Sequence, residues 1–127
     1  MLIVVDPSSG VPVFRQVMEQ VRFHIASGLL KAGDALPPTR SLSADLGVNP
    51  MTISKAYNLL ERDGVLDRRP GKPLVVAALD PEDIEVEKLE QLRSHLSSAV
   101  RAAQQLSLKP REAVKVFRQM LEDDKED

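Results

Sequence analysis

Cysteine is absent from the 127 residues, and its absence excludes disulfides and thiolate metal sites. Histidine occurs only as His24 and His95, far apart and with no carboxylates patterned around them, so plain helix-surface roles are expected for both. No hydrophobic run approaches the roughly 18 residues a membrane span needs. The opening MLIVV is cut by Asp6 and Pro7 too early for a signal peptide. The cytoplasm is therefore the expected compartment, and no membrane partner is expected. A nucleophile–base pair, metal-ligand spacing and a phosphate loop are also missing. No catalytic residue, metal site or cofactor is expected, and an enzyme is the remotest function class.

A large net charge is lacking too, the formal value being −2. The balance is uneven, with 9 Lys and Arg against 8 Asp and Glu in residues 1–80 but 8 against 11 in residues 81–127. Any anion-binding face must be built locally in the first part, because the overall field does not supply it. With 43% hydrophobic residues, the chain can bury one ordinary core and carry a helical appendage.

What is present is sharply punctuated. MLIVV reads as a short strand ended by the turn cluster DPSSG. Phe14, Val17, Val21 and Ile25 then form one helical stripe that stops at Ser27-Gly28. A connector with a Gly-Asp turn and a Pro-Pro pair leads to a second helix, starting at Pro38 or Thr39 and ended by Gly47. Asn49 is a favoured N-cap and Pro50 suits the first helical position, so a third helix has a defined start. Its expected core stripe is Ile53, Ala56, Tyr57 and Leu60. Met51, Thr52, Ser54 and Lys55 stay largely off the core around backbone N–H groups expected to be free, a start that suits an anion or a base edge.

Asp63-Gly64 ends this helix, and VLDRR and PLVVA flank Pro70-Gly71-Lys72-Pro73 as a hairpin with a basic tip. Three helices, a tight glycine turn and a basic-tipped hairpin spell a winged helix-turn-helix, in which the third helix enters the major groove. The fold class expected is mainly α with a small β-hairpin. The alternative is a helical protein-interaction module with a degenerate winged helix.

The stretch from Pro12 to Val76 resembles the DNA-binding domain of the GntR family of bacterial transcription regulators. The resemblance is carried by the P-V-F-x-Q-V opening, by L-P-P-T-R at Leu36 to Arg40, by L-G-V-N-P-M-T-I at Leu46 to Ile53, by the A-Y-N-L-L-E-R-D-G run and by R-R-P-G-K at the wing. The leading strand-like segment and brief helical tail are similar to the YtrA subfamily. The resemblance implies that Thr39 and Arg40 meet DNA at the start of the second helix, Arg40 reaching a phosphate or a guanine edge. It further implies that Asn49, Met51, Thr52 and Ser54 stand at the DNA-facing start of the third helix and that Gly71 with Lys72 forms a wing tip at the minor groove. Pro50, Lys55 and Arg69 are candidate contacts beside them, Lys55 to phosphate because lysine acts as a point charge. Arg68 and Arg69 have the alternative of a solvated strand face. The family's usual serine in L-P-S-x-R is Pro38 here, the second wing glycine is Pro73, and relatives often carry arginine where Pro50 or Ser54 stands. Arg40 thus becomes the leading candidate for base recognition.

Beyond residue 80 the chain turns acidic. Val86, Leu89, Leu92, Leu96, Ala99, Ala103 and Leu106 are spaced 3, 3, 4, 3, 4 and 3 apart, a near-heptad seam of about six turns. After a break at Ser107 to Pro110, Val114, Phe117 and Leu121 mark a shorter amphipathic helix, and EDDKED reads as a frayed end. The expected domains are a winged helix-turn-helix at 1–80 and a two-helix dimerisation segment at 81–127. The seam could fold back on its own domain or meet a second copy. Because the small domain has little surface to spare and the seam is long, the second is expected, with Leu89, Leu92, Leu96, Ala99, Ala103, Leu106 and Phe117 as its interface. The function expected is a sequence-specific DNA-binding regulator, a homodimeric repressor on a pseudo-palindromic operator. Resemblance to YtrA-type members implies control of a nearby operon, often one for an ATP-binding-cassette transporter. A small-molecule effector is unknown, and any would bind at the dimer interface or not at all, because about 47 residues after the wing are too few for a self-contained pocket.

Overall fold

The computed structural model describes residues 2–125, Lys125 through its backbone alone. Among them are five helices and one two-stranded sheet, in the order α1 (Val13–Ala26), α2 (Thr39–Leu46), α3 (Pro50–Arg62), β1 (Leu66–Asp67), β2 (Val75–Val76), α4 (Pro81–Gln105) and α5 (Pro110–Lys125). Two compact units divide the chain, Met1–Gln91 and Leu92–Asp127.

The first unit is organised around α3, which packs against α1, α2 and β1. Its stripe Ile53, Ala56, Tyr57 and Leu60 is buried as its spacing requires, and α1 meets it with Val17, Val21 and Ile25. Leu42, Leu36, Leu66 and Val76 close the core. Each such side chain contributes roughly 1.5–3 kcal/mol of burial. Gly47 ends α2 in the left-handed conformation, φ 67. A Cβ there would meet nothing within 4 Å, so the backbone angle and not crowding asks for glycine. Arg22 of α1 reaches Asp63 at the end of α3 at 2.9 Å, tying the two long helices at that end.

The sheet is antiparallel with Leu66 opposite Val76 and Asp67 opposite Val75. The connector before α2 adds a bridge, Ala35 to Val75, and the Leu36 N–H donates to the Leu74 carbonyl at 2.8 Å. The connector is therefore a third member of the wing, which its Gly and Pro content concealed.

The expected N-terminal strand is not one. Residues 2–6 run extended beside α1 with no sheet partner. Their backbone is held by side chains one helical turn apart: Gln16 bonds both the N–H and the carbonyl of Asp6, Gln20 does the same for Val4, and the His24 imidazole meets the Leu2 carbonyl at 2.8 Å. Ile3 is buried in the core while Leu2 and Val4 face water. A glutamine amide offers the same donor and acceptor pair as a peptide, so it replaces the missing strand.

The division between the two compact units falls within α4, between Gln91 and Leu92. Gln91 of α4 is buried within the first unit, its amide donating to Glu87 at 2.9 Å. In the second unit α4 ends in a left-handed Ser107, φ 57, and α5 opens with Glu112 accepting from the Lys109 N–H at 3.0 Å. α5 continues through Lys125, so the first four residues of the acidic tail are helical and not frayed, while Glu126 and Asp127 lie outside the described residues. No helix among the described residues is long and apolar enough to cross a membrane.

Candidate nucleic-acid interface

Three elements present the expected site residues. α2 places Thr39, half-buried, and Arg40, exposed, in its first turn; α3 places Asn49, Pro50, Met51, Thr52, Ser54 and Lys55; the wing tip places Arg69, Gly71 and Lys72, all exposed. Gly71 takes φ 71 at the turn, and the Lys72 N–H closes it onto the Arg69 carbonyl at 3.1 Å.

The start of α3 differs from expectation in one respect. Asn49 caps the helix, its Oδ1 accepting from the Met51 N–H at 2.8 Å, and the Thr52 N–H donates to the Asn49 carbonyl at 2.9 Å. Pro50 has no N–H at all. The first-turn donors are thus consumed, and the idea of an N–H-rich anion site is corrected: whatever this end recognises, it recognises with side chains. Met51 is 75% exposed and is the most prominent of them.

The cations divide into held and free. Lys55 lies over the Phe14 ring with its Nζ 4.0 Å from the centroid, a cation–π contact to α1 that nothing in the helical pattern announced. Arg68 is neither free nor simply solvated, because its Nε donates to Glu61 at 3.1 Å and its Nη2 approaches Asn58 Oδ1 at 3.4 Å, pinning the wing's base along α3. Arg40, Arg69 and Lys72 have no side-chain partner among the described residues, and Arg40 does not pair with Asp45. Two of the held contacts, Phe14–Lys55 and Glu61–Arg68, join different elements, so helical spacing carries no signal for them.

Tyr57 is a core residue and not a stacking platform. Its ring is buried and its hydroxyl donates to the Pro37 carbonyl at 2.8 Å. Burial pushes the phenol well above its ordinary 10.0, since the ring's surroundings disfavour the charged form. A shallow cavity of about 240 Å³ lies between the end of α1 and the start of α4, lined by Ile25, Leu30, Leu79 and Ile84 with Lys31 and Lys88 at its rim. The seven expected interface residues lie on α4, just past it and on α5; Leu89, Leu92, Leu106 and Phe117 are exposed apolar side chains, Ala99 is exposed, and Leu96 and Ala103 are half-buried.

Comparison with known proteins places this geometry. The model of the bacterial regulatory proteins of the gntR family matches residues 14–76. The HTH-type transcriptional repressor YtrA of Bacillus subtilis (strain 168) is 29% identical over 99 residues, covering 78% of this chain and 76% of the relative. YtrA from Sulfolobus acidocaldarius, a GntR-family transcription factor, is 32% identical with a TM-score of 0.59, over 74% of this chain and 99% of that one. The AraR DBD in complex with operator ORX1 is 28% identical with a TM-score of 0.53, over 61% of this chain and 95% of that one. A capped recognition helix, a basic wing and these likenesses agree: the chain belongs to the GntR family of DNA-binding transcription regulators.

Proposed function

We propose that the chain acts in the cytoplasm as a homodimer that binds a pseudo-palindromic operator and represses the promoter it covers. The observation that carries the DNA reading is the sorting of cations. Arg22, Lys55 and Arg68 are held by partners within the protein, whereas Arg40 projects from α2 and Arg69 and Lys72 from the wing, two of the three elements a winged helix turns toward DNA. Arginine forks onto a guanine edge or a phosphate; lysine serves phosphate as a point charge. Repression is supported by the repressor among the relatives and operator binding by the AraR complex.

Dimerisation is supported by the exposed seam. Leu89, Leu92 and Leu106 leave apolar surface in water with a coiled-coil spacing, the arrangement that a second helix of the same kind covers. A two-fold dimer presents two copies of α3, and its half-sites fall about one helical turn, roughly 34–36 Å, or somewhat more apart.

Selection of bound DNA from a random pool tests the reading. A palindrome with a fixed spacing is expected. No enriched motif at low or physiological salt would transfer the assignment to a helical interaction module. On the selected operator, Arg40→Ala is expected to lose about 1–3 kcal/mol of specific binding, and an equal loss on random DNA would overturn a base-reading role.

A further inference from the structure

Three DNA-facing elements meet at one short segment. Ala35 bridges to Val75 of the wing, and the Leu36 N–H donates to the Leu74 carbonyl. Next in the chain, the Pro37 carbonyl accepts from the Tyr57 hydroxyl of α3 at 2.8 Å. Two residues further α2 begins, and its second residue is Arg40. The segment is held on one side by the wing and on the other by the recognition helix.

We propose that Tyr57 is a positioning residue for operator reading: its buried hydroxyl, by holding the Pro37 carbonyl, sets where α2 begins relative to α3 and so where the Arg40 guanidinium meets the base edge that α3 faces. The inference rests on the DNA-binding reading above. Pro37 and Pro38 make the arrangement effective, because both have φ fixed by their rings and neither offers an N–H for an alternative tie. α2 has no side-chain cap, its N-cap position being Pro38, so the start of that helix is located from outside, by Tyr57 and the wing. Arginine recognition of guanine is bidentate and intolerant of a shift of even about 1 Å. A lost latch is therefore felt at Arg40 before it is felt elsewhere.

Tyr57→Phe keeps the ring and removes the hydroxyl. In the full chain, binding to the selected operator and to a copy altered at the Arg40-dependent position is measured for four proteins: the parent, Tyr57→Phe, Arg40→Ala and the double variant. Circular dichroism melts fix the temperature at which all four are folded, and Tyr57→Leu, which also lacks the hydroxyl, serves if Tyr57→Phe is not. The parent is expected to lose about 3- to 10-fold in operator affinity on Tyr57→Phe, the range of one ordinary hydrogen bond, with the preference over the altered copy shrinking by the same factor. In the Arg40→Ala background the same change is expected to cost nothing further, since coupled residues are non-additive. Additive losses, or an unchanged preference, would overturn the positioning role and assign Tyr57 to the core alone. Should Arg40→Ala itself leave operator binding intact, the base-reading assignment fails first, and the positioning role with it.

Discussion

The two units of this chain carry similar proportions of apolar residues and use them to opposite ends. In Met1–Gln91 the helical stripes turn inward, and Val17, Val21, Ile53 and Leu60 have no contact with water. In Leu92–Asp127 the apolar residues are spaced as regularly, yet Leu92, Val100, Val114, Met120 and Leu121 all stand exposed. Both patterns are amphipathic, and the difference lies in closure. The first unit has helices crossing one another and a wing over the end, so its stripes find partners within one chain. A long helix followed by a shorter one leaves its stripe uncovered, the surface that the proposed association with a second copy would bury.

The comparison can be broken first at the seam. Leu92→Asp combined with Leu96→Asp places two charges on the proposed interface, and sedimentation is expected to report half the parental mass, with the melting of the winged helix little changed. An unaltered mass would remove the dimer seam from consideration. Next in size is Leu60→Ala. With its side chain fully buried, the variant is expected to lose about 2–5 kcal/mol in denaturant unfolding, and a loss below that range would mean the first unit is less closed than its burial indicates. The smallest effect below pH 10 concerns Tyr57, whose folded-state value lies above the ordinary 10.0. Its contribution is complete below that pH and is lost as pH rises, because the unfolded chain releases the proton first. Tyrosinate absorbance is expected to appear together with alkaline unfolding and not before it. A separate ionisation near pH 10 in a folded chain would show the ring to be wetter than its environment implies.

Helix limits were legible because they are written in residues with local physics. Gly47, Asn49, Pro50 and Gly64 each act on their own backbone, so the starts and stops of α2 and α3 follow from sequence. The stripe of α3 was legible for the same reason, periodicity being a property of one helix. What stayed hidden joins residues distant in the chain. Lys55 reads as a phosphate contact because lysine acts as a point charge, and nothing in its helical spacing announces the Phe14 ring of α1 beneath its Nζ. The segment MLIVV has every mark of a strand, and residues 2–6 are extended, yet the partners of Val4 and Asp6 are the amides of Gln20 and Gln16, which no strand pattern contains. Nor does the sequence show that Asn49, in capping α3 so well, uses up donors the helix start was expected to offer.

The ladder from α1 to the leading segment is also limited in length. Four residues of helix advance about 6.0 Å, whereas two extended residues advance about 6.6–6.8 Å. The rungs at Gln16, Gln20 and His24 therefore drift by roughly 0.7 Å at each step, like two rulers of slightly different pitch laid side by side. Flexible glutamines absorb the first step and an imidazole the second. α1 runs Val13–Ala26, so positions 12 and 28, one further turn either way, lie outside it and the clasp has three rungs. Sliding it by one residue would turn Ile3 out to water and bring Leu2 and Val4 inward, so the segment has one setting.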